Sequence, residues 1–152
     1  MKNIFKSSDV KRKLGIVASL LVLMLVFTIL TNKFLSAGNF RNILQQAAIN
    51  LCVAIGMTFV IITGGIDLSV GSVMALSGMI MAIVMNAGVH PILAVILGLV
   101  VGSLAGALNG VLIAKMQLQP FLVTLGTMSA YRGLTLIISN GLPVRGFSTG
   151  YV

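Results

Sequence analysis

Asp67 is the residue of this sequence best placed to do chemistry. The chain holds two acids in 152 residues, Asp9 and Asp67. Asp67 lies in Thr63-Gly64-Gly65-Ile66-Asp67-Leu68-Ser69-Val70-Gly71-Ser72, between two apolar stretches. A carboxylate carried to membrane depth costs about 2.5–3.5 kcal/mol on insertion scales, so it requires a partner or a task. Gly64 and Gly65 end the helix before it. Asp67 and Ser69 then stand where an N-cap satisfies the free amides of the next helix, and a negative charge there complements the positive helix end. The other reading gives the same carboxylate a part in substrate passage or gating.

Three further polar positions sit inside apolar surroundings. Gln45, Gln46 and Asn50 share one helical face by their spacing of four or five, and are expected to point into a bundle rather than to lipid. They either line a pathway or hydrogen-bond between helices. Arg132, in Ala130-Tyr131-Arg132-Gly133, either snorkels to the outer interface or pairs with a polar group in a pathway.

No arrangement for catalysis accompanies them. His90 precedes Pro91 in a polar break and reads as a loop residue. The single cysteine, Cys52, has no disulfide partner and no metal-ligand spacing, and reads as a small packing residue. There is no carboxylate pair, and Gly64-Gly65 lacks the lysine of a phosphate-binding loop. No metal, no cofactor and no enzymatic activity of its own are expected; ATP would have to be used by another chain.

The elements that must position these residues are membrane helices. Hydrophobic residues make up 58% of the chain and charged residues 8%, with a mean hydropathy of +1.13. A soluble domain carries about a quarter charged residues, so lipid is the solvent for most of this chain. Five apolar stretches follow: Leu14 to Thr31, Ile43 to Thr63, Leu68 to Met85, Ile92 to Ala114 and Phe121 to Ile138. Each is long enough at about 1.5 Å per residue to cross a hydrocarbon core of about 30 Å. Backbone groups in lipid find no water, and strand alternation is missing, so the expected fold is all-α: a polytopic transmembrane bundle of about five helices. Pro91 and Pro120 stand where each begins the following helix without loss of a hydrogen bond.

Charge divides the chain into a basic segment, 1–13, and a membrane domain, 14–152. Lys2, Lys6, Lys11, Arg12 and Lys13 fall in the first thirteen residues. With Lys115 they outnumber Lys33, Arg41 and Arg145 on the opposite side, so the N-terminus is expected in the cytoplasm. The net charge of +8 is therefore read as affinity for anionic lipid, not for nucleic acid. Gly98, Gly102, Gly106 and Gly110 recur every four residues and predict a smooth helical groove for close packing, with Ser103 and Asn109 near it.

The run MTFVIITGGIDLSVGSVMALSG, from Met57 to Gly78, closely resembles the signature of the ribose-type sugar permeases of bacterial ABC importers. NFRNILQQAAINLCVAIGM before it and GALNGVLIAKMQLQPFLVTLGTMSAYRGL after it resemble the same family in the same order, over roughly Asn39 to Phe147. The resemblance implies an inner-membrane subunit that forms the translocation pathway. It also implies a second permease copy, a periplasmic sugar-binding protein and a cytoplasmic ATP-binding subunit as partners. The family motif falls on Gly64, Gly65, Asp67, Ser69 and Gly71, with a structural or gating role. Family members have about ten helices, so the chain is expected to correspond to their N-terminal half and not to transport alone. Two rival readings of the same residues are a small multidrug-type exporter working as a dimer, and a membrane anchor or assembly factor without an ATPase.

Overall fold

A computed structural model of the chain describes residues 7–144. Lys2, Lys6 and Arg145, used above to orient the chain, lie outside the described residues, as does its C-terminal end. Five helices succeed one another among the described residues, with no strand: α1 Ser7–Leu30, α2 Ala37–Ile62, α3 Val70–Asn86, α4 Pro91–Ala114 and α5 Pro120–Ile138. The all-α expectation holds. Four of the five are long and apolar enough to cross a membrane, while α3 has 17 residues.

The chain divides into two compact units, Met1–Cys52 and Val53–Val152. In the first, α1 ends in a short turn before α2. Phe34 N–H donates to Thr31 O at 3.0 Å, and the Phe27 and Phe34 rings stack with centroids 5.9 Å apart. Ser36 Oγ then accepts from Asn39 N–H at 3.2 Å, the bond of a serine N-cap. That cap explains why α2 begins at Ala37, ahead of the apolar stretch: the polar first turns of Asn39, Arg41 and Asn42 are helical because Ser36 satisfies their leading amides.

The second unit packs α3, α4 and α5 against one another. Leu76, Ala105 and Tyr131 form its buried centre, flanked by Val73, Ile80 and Val101. Small residues let these helices approach: Ala94 and Gly98 of α4 are buried, and a Cβ at Gly98 would collide with the Met81 side chain of α3. At Gly102 a Cβ would lie 3.2 Å from Ser77 Oγ. At Gly106 and Gly110 it would meet nothing within 4 Å. The single groove read from the spacing is thus two surfaces. At about 3.6 residues per turn, a step of four advances about 40°, so three steps carry the stripe about 120° around α4.

The helix ends follow the turn residues. Pro91 and Pro120 begin α4 and α5, as the sequence predicts. His90 does more than fill a loop: it is the N-cap of α4, its Nδ1 accepting from Ile92 N–H at 3.3 Å. α2 ends in a paired motif, Gly65 N–H to Val60 O at 3.0 Å and Gly64 N–H to Ile61 O at 2.9 Å, with Gly64 at φ +74°. The two glycines therefore differ in what they tolerate. Gly64→Ala places a Cβ in left-handed backbone and is expected to cost about 1–2 kcal/mol. A Cβ at Gly65 would make only ordinary contact, 3.4 Å from Val60 Cγ1, so Gly65→Ala is expected to be nearly neutral. Thermal unfolding of the two variants in detergent checks this; equal midpoints would show that the motif does not hold the end of α2.

Candidate functional site

The break between α2 and α3 places Asp67 at one end of the α3–α5 unit. Gly64 turns the chain out of α2, residues 65–69 run without helix, and Ser69 opens α3. Asp67 is half-buried, and its Oδ1 accepts twice, from Ser69 N–H and from Ser69 Oγ–H, both at 2.7 Å. This differs from the expected cap. Neither Asp67 nor Ser69 gives a side-chain acceptor to the first amides of α3; Ser69 is the N-cap by position alone. A short polar side chain two residues ahead bonds most easily to the amide two residues on, which is the geometry of an Asx turn. The carboxylate therefore holds the entry residue of the helix, not the helix itself.

Ser69 is fully buried and links this turn to α4. Asn109 Nδ2 donates to Ser69 Oγ at 2.8 Å, completing a chain of three side chains, Asn109 to Ser69 to Asp67. Asn109 is 5% exposed, and its Oδ1 meets no donor. A buried acceptor left without a donor costs about 1–3 kcal/mol. α5 joins from the third side: Thr124 Oγ1–H lies 3.2 Å from Ile66 O and 2.8 Å from Pro120 O. Deeper in the unit, Tyr131 Oη donates to Ala105 O at 3.1 Å, tying α5 to α4.

Asp67, Asn109 and Thr124 line a cavity of about 360 Å³. Its wall takes Asp67 from the break, Gly106, Asn109 and Ile113 from α4, and Pro120 and Thr124 from α5. The far half of the glycine stripe therefore faces this space, which explains why Gly106 and Gly110 lack a packing partner. A larger groove between α3 and α4 is apolar and open, and it contains neither Asp67 nor Asn109.

The remaining sequence candidates stay apart from this site. Gln45, Gln46 and Asn50 are exposed on α2. Cys52 is likewise exposed on α2 and is not the packed residue that its apolar neighbours suggest. Gly71 is exposed in the first turn of α3 with free space around it. Arg132 is exposed beside the buried Tyr131. The sequence reading missed Asn109 as a partner of Ser69, along with Thr124. The signal for Asn109 was present: an amide inside an otherwise apolar membrane helix needs a polar neighbour. Among the described residues no three His, Cys, Asp or Glu come close enough to hold a metal ion.

The family model described as "Branched-chain amino acid transport system / permease component" matches residues 39–149. The chain belongs to this family. It is 52% identical over 142 residues to the ribose import permease protein RbsC of Bacillus subtilis, covering 93% of this chain and 44% of that protein. Against the D-allose transport system permease protein AlsC of Escherichia coli it is 42% identical over 142 residues, 92% of this chain and 44% of the relative. The fructose import permease protein FruF of Bifidobacterium longum is 34% identical over 157 residues, covering 90% and 44%. The chain thus spans less than half the length of these relatives. No solved structure matches it. The ribose-type resemblance read from Met57 to Gly78 is borne out, and with the apolar helices it makes the chain a multi-pass membrane protein. The residues of the cavity wall all fall within the matched range.

Proposed function

We propose that the chain is the N-terminal portion of the membrane subunit of an ATP-driven monosaccharide importer and forms part of the sugar's path. The observation that carries this reading is the 52% identity to a ribose import permease over 93% of the chain. That span includes the segment 63–72, which builds the polar end of the α3–α5 unit. The subunit has no catalytic residues and no cofactor of its own. A cytoplasmic ATP-binding subunit supplies the energy, a periplasmic binding protein delivers the sugar, and a second permease copy completes the pathway. The excess of cations before α1 and at Lys115 supports a cytoplasmic N-terminus in a bacterial inner membrane.

The test is uptake of labelled ribose, allose and fructose by inverted or resealed vesicles holding the permease expressed from its native gene with its ATPase and binding protein. Accumulation of one of these sugars that requires ATP hydrolysis is expected. Vesicles that accumulate none of them, or do so without ATP, overturn the reading.

A further inference from the structure

The turn between α1 and α2 carries two adjoining hollows, far in sequence from the segment around Asp67. One, of about 430 Å³, is polar, and its wall includes Lys33, Asn39 and Asn42. The other, of about 440 Å³, is apolar, with Met24, Leu35, Phe40 and Ile43. Phe34 and Ser36 line both. Hydrogen bonds fix the turn: Asn39 Nδ2 donates to Phe34 O at 2.7 Å, and Ser36 N–H to Lys33 O at 3.1 Å. Both hollows are therefore preformed. The apolar span of α1 ends at Leu30, which sets Lys33 at the level of lipid headgroups. Arg41 follows on α2, three residues and one turn beyond Gly38 of the polar wall. Among the described residues neither cation pairs with a carboxylate, and the Asn42 side chain makes no hydrogen bond. Both cations lie opposite the cation excess of 1–13 and Lys115, so orienting the chain does not account for them.

We propose that this turn holds one anionic phospholipid, its phosphate on Lys33 in the polar hollow and an acyl chain in the apolar one. Charge complementarity selects the occupant. The Lys33 ammonium brings three donors and Asn42 two more, and a phosphodiester offers only acceptors. A zwitterionic headgroup would carry its own cation against Lys33, whereas a phosphatidylglycerol headgroup carries none. A free phosphate would leave Leu35, Phe40 and Ile43 uncovered beside it. An apolar helix laid over both hollows would bury the ammonium without a counter-charge, which is costly at membrane depth. A lipid satisfies both halves at once, because its charge and its hydrocarbon are joined at the same depth as Lys33 and Phe40.

Photolabelling tests this, and it does not depend on which solute the permease carries. The permease expressed from its native gene is reconstituted in phosphatidylcholine vesicles. These contain a trace of phosphatidylglycerol, or of phosphatidylcholine, with a diazirine in one acyl chain. Labelled residues are read by peptide mass spectrometry. A basic side chain beside an anionic headgroup contributes about fivefold in affinity. Labelling of Phe40 and Ile43 by the phosphatidylglycerol probe is therefore expected to exceed that by the phosphatidylcholine probe about fivefold or more. At Leu21, exposed midway along α1, the two probes should label alike. Lys33→Gln, at an exposed position, is expected to lower the excess about fivefold, and Lys33→Arg to retain it. Equal labelling of Phe40 and Ile43 by the two probes overturns the site, as ordinary bilayer contact. Absence of labelling there with either probe also overturns it, because another segment of the permease or a second copy then covers the turn. An excess unchanged by Lys33→Gln overturns it as well, since the lysine is what selects the lipid.

Discussion

Leucine at Gly98 is expected to force α3 and α4 apart and to lower stability by about 1–3 kcal/mol, the usual cost of overfilling a packed interior. The cause is steric: Gly98 is buried, and even a Cβ there collides with the Met81 side chain of α3. Gly102→Leu should follow in the same direction, with Ser77 Oγ 3.2 Å and Val73 Cγ1 3.9 Å from the new Cβ. Gly106→Ala supplies the contrast. It meets nothing within 4 Å, and alanine is better than glycine inside a helix by about 1 kcal/mol, so this variant is expected to be neutral or stabilising. Equilibrium unfolding in mixed micelles separates the cases. A Gly98→Leu protein as stable as the unsubstituted chain would mean that the α3–α4 contact does not contribute to the fold.

Removing the Asp67 carboxylate has the second large effect. Asp67→Ala strips two hydrogen bonds from Ser69, leaving the amide and hydroxyl of a fully buried residue with no acceptor. Hydrogen bonds to charged groups contribute about 1.5–3 kcal/mol each, and the orphaned donors add desolvation, so a loss of about 2–4 kcal/mol is expected. Asp67→Asn keeps an oxygen that accepts both bonds, and should fall within about 1 kcal/mol of the unsubstituted chain by the same reasoning. The comparison divides geometry from charge. If Asp67→Asn unfolds as readily as Asp67→Ala, the negative charge stabilises this end of the unit; if both are silent, the Asx turn is dispensable and Ser69 is held by Asn109 alone.

Much of this architecture was legible in the sequence because lipid leaves a chain few choices. Apolar runs of membrane-crossing length, with two acids in the whole chain, admit helices and little else. Proline and glycine then marked their ends: Pro91 and Pro120 start helices, and Gly64 takes the positive φ that closes α2. The motif around Asp67 and its family were equally legible, since a carboxylate, two serines and closely spaced glycines between two apolar helices form a specific pattern.

What the sequence could not supply was contact across helices. Asn109 and Ser69 are forty residues apart and meet because α3 and α4 run side by side. Periodicity on one helix gives a face, but not the neighbour that the face will meet. The same limit explains the glycine stripe. A spacing of four looks like one line on paper, yet the helix turns by 3.6, so Gly98 and Gly102 reach α3 while Gly106 and Gly110 open onto the cavity. By itself, the sequence determined that this is a helical membrane chain of a transport family, because solvent and backbone hydrogen bonding act locally. Only the tertiary structure decided which polar groups meet, because burial and hydrogen-bond partners belong to pairs of helices.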